Sequence, residues 1–320
     1  MSESVMDKTG DTQAGAQLRR ELARGDRALG SIPPVLGHLL AGSGHSLISD
    51  SIVAHLRGML SDCAGQLLDA QGRASSLQPD PVESDEACER LAIGLAANSA
   101  VLSHCFAAAI EGALSEELER RGVSDQVLSP LMQELIASDD ESVAELAMAA
   151  MTAQARWIQA HRRMGLPLAE LPAEIFHEAL KAWKAISRNA DAAAMAQAEA
   201  LLRAEYDESA GRLGLLTRLV AKLKSGAHAG LLVEHAGLAL FASALASLSK
   251  QPRELVVLSC HPSQLTRLAL GLRAAGAKPE EIAQQLLLIQ PDFPFPEGFD
   301  QIGQAEAADL LGCSSFGPEQ

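Results

Sequence analysis

The sequence predicts an all-α protein, and two features of its composition carry that expectation. Alanine and leucine supply 56 and 49 of the 320 residues, and both stand near the top of the helix-propensity order. Phenylalanine, tryptophan and tyrosine together supply ten, so few residues of the kind that favour a pleated sheet are present. The apolar share of 48% with 21% charged residues is that of an ordinary globular chain and argues against wholesale disorder. At this length a single core stops growing. The expected architecture is a helical bundle followed by stacked helix pairs, solenoid-like in the sense that each pair covers its neighbour.

Residues 1–45 read as an N-terminal arm, partly disordered, with one short charged helix from Gln17 to Leu29 that Gly30 and the Pro33–Pro34 pair end. Residues 46–122 read as the bundle region. Its first helix runs from about Ser46 to Gly72 and carries Ile48, Ile52, Leu56, Leu60, Cys63 and Leu67 on one face. Residues 73–86, with Pro79, Pro81 and the acids Asp80, Glu83, Asp85 and Glu86, read as an exposed acidic linker. Beyond it Leu91, Leu95, Asn98, Leu102, Phe106 and Ile110 share a face of one long helix, with Asn98 as a polar residue inside the stripe, and Gly122 closes the unit.

Residues 123–290 read as the helical array. Ser129 before Pro130 is an N-cap followed by proline at the first helical position, for a helix to Ala137. Asp139, Asp140 and Glu141 put negative charge at the start of the next helix, which Gly165 and Pro167 stop. Pro172 and Glu174 open a helix to Ser187, and Asp191 caps a long alanine-rich one reaching Lys224. Shorter helices follow at 228–249, 252–259, 262–275 and 279–290, with Gly276 and Pro291 as stops. Residues 291–320, with Phe293, Phe295 and Phe299, read as an extended tail. Residues 229–248 have the length of a membrane span but contain Glu234 and His235 among small residues, so a buried helix and no membrane span is expected.

The stretch from Leu231 to Gln290, notably LLVEHAGLALFASALASLSKQPRELVVLS and then LTRLALGLRAAGAKPEEIAQQLL, resembles the C-terminal helices of an uncharacterised bacterial family of all-helical proteins, a domain of unknown function. That resemblance implies a helical fold and no known activity. It carries no functional residue over to this chain.

A formal charge of −15 repels phosphate backbones and anionic lipid, so nucleic acid is not an expected partner. The nearest thing to a basic patch, Arg156, His161, Arg162 and Arg163, reads as cations at a helix C-terminus. The opening residues carry no signal pattern, and the five scattered cysteines form no C-x-x-C pair, which suits reduced thiols in the cytoplasm.

Few residues suggest chemistry. Glu174 and His177 form one Glu-x-x-His pair, which di-iron helix bundles use twice, so a metal-dependent helical enzyme is one alternative. His228 and His235 are about 10 Å apart along a helix and cannot share a zinc. Cys260 and His261 are adjacent and do not face each other, and His261 before Pro262 reads as a cap. Ser247 and Lys250 spell S-x-x-K without its companion motifs, and no Walker A loop, G-x-G-x-x-G, G-x-S-x-G or H-E-x-x-H occurs. The segment Ala160–Gly165 is similar to the Ala-His-x-x-Lys-Gly site of histidine phosphotransfer domains, with Met164 where the lysine belongs. That makes His161 the candidate phosphoryl carrier of a second alternative. The expectation that best fits the whole chain is a non-catalytic adaptor or regulatory scaffold, with a protein partner and no cofactor.

Overall fold

Capping side chains set five of the helix starts. Ser49, Asn98, Ser129, Asp140 and Asp191 each accept a hydrogen bond from a backbone N–H of the first turn that follows, an interaction worth about 1 kcal/mol per cap. The computed structural model describes residues 13–41, 49–75, 81–187, 191–292 and 299–314, and among these every regular element is a helix. In order they are α1 (Gln13–Ala41), α2 (Asp50–Ala74), α3 (Pro81–Ala96), α4 (Ser99–Arg120), α5 (Pro130–Ile136), α6 (Glu141–Arg162), α7 (Ala173–Ile186) and α8 (Ala192–Glu205). There follow α9 (Arg212–Leu223), α10 (Val233–Ser249), α11 (Arg253–Ser259), α12 (Leu265–Ala274), α13 (Pro279–Ile289) and α14 (Gln304–Gly312), with short 3₁₀ turns between some of them.

Four features depart from what the sequence suggests. First, α1 does not end at Gly30 but continues through Pro33 and Pro34. Two prolines remove two backbone hydrogen bonds, yet Leu29 and Leu36, one on each side of the pair, are both buried and hold the helix to its line. Second, the span read as linker shortens: α2 runs to Ala74 and α3 begins at Pro81, with proline at the first position where its missing N–H costs nothing. Third, the helix expected through Leu91 and Ile110 is two helices bent by 92°. Asn98 is the hinge: its Oδ1 accepts from the N–H groups of Ala100 and Val101 at 3.0 and 3.2 Å and starts α4. Fourth, the helix expected from Asp191 to Lys224 breaks after Glu205. Tyr206 turns inward, its ring stacking on Phe176 at 4.1 Å and its hydroxyl donating to Leu171 O at 2.7 Å, and Asp207 caps a 3₁₀ turn before α9.

The tail also differs from its reading as extended, because Phe299–Gln301 form a 3₁₀ turn and α14 follows, with Leu310 and Leu311 in the core. Ile48, Phe293 and Phe295 lie outside the described residues. At the end of α4, Gly122 (φ 68°) takes the left-handed position and Val123 N–H bonds Leu118 O, as anticipated. At the end of α6 that position falls to Met164 (φ 55°), one residue before the expected glycine.

Two apolar cores form. The first gathers α2, α3, the first half of α4, the last turns of α6, α7 and α8, with Leu36 of α1. The second gathers the end of α4, α5, the first half of α6 and α9 to α14, with Leu18 and Leu22. Gly122, expected as a boundary, does not separate the two: each core draws on residues from both sides of it, and α1, α4 and α6 contribute to both. The second core is also not a solenoid in its packing. α10, buried along most of its length, touches α4, α5, α9, α11, α12 and α13, whereas a solenoid repeat touches only its neighbours.

Candidate functional site: a buried polar seam

Where the two cores meet, polar side chains are buried between them. Positions 107, 111, 114 and 118 of α4 share one inward face, and three of them are Ala107, Leu114 and Leu118; the fourth is Glu111, 2% exposed. A lone carboxylate at that depth would be protonated or would unfold the site. Two arginines prevent this. Arg212, at the start of α9, donates from Nη1 to Glu111 Oε1 at 2.7 Å and from Nη2 to Oε2 at 3.0 Å. Arg253, at the start of α11, donates from Nη1 to Oε2 at 2.8 Å and from Nη2 to Oε1 at 2.7 Å. Burial raises the Glu111 pKa, and the two guanidinium groups, by charge and by hydrogen bond, more than reverse that, leaving the carboxylate ionised well below its ordinary range.

The surrounding groups complete the network. Gln154 of α6 accepts from Arg212 at 3.1 Å and donates to Gln126 O at 2.9 Å. The Arg212 guanidinium lies 3.9 Å from the Trp157 ring centroid, a cation–π contact out of water. Arg253 Nε donates to Ser243 Oγ at 3.0 Å. Glu170 accepts from Arg212 N–H at 2.7 Å, doing for α9 what a capping side chain would do, since Gly211 has none. At the rim His104 Nδ1 and Glu254 Oε1 are 2.5 Å apart. His104, Glu111, Trp157, Glu170, Arg212, Arg253 and Glu254 border a crevice whose free interior is about 20 Å³, room for about one water molecule. The arrangement holds charge in place; it does not enclose a small-molecule site.

A third buried arginine joins α1 to the C-terminal helices. Arg267 of α12 donates from Nη2 to Asp26 of α1 and, at 2.7 Å, to Ser314 Oγ, and from Nη1 to Gln251 Oε1 at 3.4 Å. Gln264 Nε2 donates to Gly25 O at 2.7 Å, and a Cβ at Gly25 would stand 2.6 Å from Gln264 Oε1, so only glycine admits this approach. Here the hydrogen bonding is incomplete: Arg267 Nε, Gln251 Nε2 and Gln264 Oε1 are buried without a partner.

The residues singled out in the sequence do not converge. Glu174 and His177 lie one turn apart on α7, both exposed, and among the described residues no three His, Cys, Asp or Glu side chains come together as a metal site. His261 accepts from Ser263 N–H at 3.3 Å and caps its 3₁₀ turn. Cys260 is fully buried, and burial, reinforced by Glu111, pushes its thiol up to about 12. His161, read from the sequence as a helix-end cation, is instead buried, 4% exposed. Its ring stacks between His55 at 4.6 Å and Trp157 at 5.3 Å. A Cβ on Gly112 would lie 1.9 Å from its Nε2, so a phosphoryl group on that nitrogen has no room.

Glu111, Arg212 and Arg253 escaped the sequence reading, though each left the same signal. Arg253 shares a helical face with Val256, Val257 and Cys260, and Arg212 with Leu215, Leu216 and Leu219. A charge at an apolar-period position marks a buried ion pair. No family model, curated protein or solved structure was found to match the chain.

Proposed function

We propose that the protein is a non-catalytic helical module, an adaptor or regulatory scaffold of the cytoplasm, that receives a basic segment of a partner protein on its acidic surface. The observation that carries this reading is the allocation of charge. Arg212, Arg253 and Arg267 are drawn inside against Glu111 and Asp26, so a chain of formal charge −15 presents a surface at least that negative. Such a surface steers cationic partners toward it and turns away phosphate backbones. The seam agrees with a structural interior, because its carboxylate and both guanidinium groups are engaged with one another. The positions of His161, Glu174 and His177 give no support to the phosphotransfer and metal-enzyme alternatives.

The test is affinity capture with the full chain from its native cells, at about 50 mM and about 500 mM salt, where screening lengths differ several-fold. The expected result is a stoichiometric protein partner held at low salt and released at high salt, cross-linked through a lysine- or arginine-rich segment. A partner retained unchanged at high salt would sink the electrostatic reading, and turnover of a substrate by the purified chain would sink the non-catalytic one.

A further inference from the structure

We propose that the stack of His55, His161 and Trp157 is an acid-sensitive latch: it holds α2 against α6 at the edge of the seam, and a proton on His161 releases it. The reading is independent of the partner-binding proposal. It begins from geometry. The His161 ring is nearly parallel to its two neighbours, at 22° to His55 and 18° to Trp157, and its tip abuts Gly112 of α4. The same indole carries the Arg212 guanidinium. Among the described residues no carboxylate or carbonyl is hydrogen-bonded to the His161 ring.

Each element packed around His161 presents a definite charge. From α2 comes His55, and two turns further on Asp62, whose carboxylate is engaged with Leu166 N–H at 2.8 Å. From α4 comes Glu111, already bonded to two arginines. From α9 comes Arg212, and from the last turn of α6 the exposed Arg162 and Arg163. A protonated His161 is thus a cation set beside the His55 ring and the Arg212 guanidinium, with the nearest carboxylate committed elsewhere. Separation of α2 relieves this, because water then reaches the imidazolium.

The direction of the pH effect follows. Burial first, then His55 and Arg212, hold the His161 pKa down at about 4 against its ordinary 6.5, with Glu111 acting in the opposite sense. A histidine whose pKa is depressed in the closed state takes up a proton on opening, so the closed state is undiminished above 6.5 and weakens as pH falls toward 4. One-proton linkage between those values makes opening roughly twentyfold more frequent at pH 5 than at pH 7.

Hydrogen exchange of the full chain, read by mass spectrometry at pH 7 and pH 5 and corrected for intrinsic rates, tests this. The expected result is a roughly twentyfold loss of protection in residues 51–60 of α2, with amides of α10 and α12 unchanged. His161→Gln, which cannot take up the proton, should bring the ratio close to one. His55→Gln, which removes one of the neighbours that hold the proton off His161, should shrink the ratio, because the interval between the closed-state and open-state values narrows, and raise the pH at which the His161 ring titrates by NMR. Retention of the full pH dependence in His161→Gln, or uniform loss of protection across both cores, would overturn the proposal. If His161→Gln does not fold, His55→Gln decides: an undiminished ratio overturns it equally.

Discussion

The two buried arginine sites differ in how completely they close. At the seam, one carboxylate offers both oxygens to two guanidinium groups, and glutamine, serine and indole groups take up what remains. At the junction of α1, α12 and Ser314, Asp26 meets the Arg267 guanidinium and the Ser314 hydroxyl, and Arg267 Nε and Gln251 Nε2 are left without acceptors. A closed network is stable as a set and fails as a set. An open one has already absorbed part of the penalty and loses less when a member is removed.

That contrast sets the order of expected effects. Glu111→Gln leaves two buried guanidinium groups facing each other without their counter-ion, and should cost about 3 to 5 kcal/mol. Urea denaturation should show the midpoint fall with the slope preserved, and a loss below about 1 kcal/mol would mean the seam admits water freely. Asp26→Asn removes one counter-ion but leaves Arg267 its bonds to Ser314 and Gln251, so the expected loss is about 2 kcal/mol. If it matches Glu111→Gln, closure of the network is not what separates the two sites.

Asn98→Ala tests the bend within the first core. It removes the N-cap of α4 and the 2.8 Å bond from Asn98 Nδ2 to Glu178, with an expected loss of about 1 kcal/mol in thermal or chemical denaturation. The smallest effect should come from Met164→Gly, which relieves a left-handed conformation at a non-glycine residue but gives up the packing of Met164 on Gly58. The net gain should be about 0.5 kcal/mol, and a loss of 1 kcal/mol or more would show that the Gly58 contact dominates.

Local grammar made much of this fold legible. Ser129–Pro130, Asp140, Asp191, Gly122 and Gly276 mark boundaries in the sequence because capping and left-handed turns depend on residues a few positions apart. The breaks at Asn98 and after Glu205 were harder to read. An asparagine in an apolar stripe suits a buried position as well as a cap, and the second break depends on Tyr206 finding Phe176, thirty residues earlier. The continuation of α1 through its proline pair likewise rests on tertiary contacts that overrule a local penalty. At the seam, the burial of Glu111, Arg212 and Arg253 was visible in their periodicity. Their pairing was not, since the partners lie 101 and 142 residues apart.

Those separations impose an order on synthesis. Glu111 leaves the ribosome 142 residues ahead of Arg253, a wait of roughly 7 to 30 seconds at ordinary elongation rates. For the first 101 of those residues the nascent chain holds a carboxylate on the inward face of α4 with no cation to meet it, and until Arg253 follows Arg212 the seam is half closed. A ribosome paused before residue 253 therefore presents the face of α4 that α11 later covers, exposed apolar surface of the kind that makes an intermediate prone to aggregate.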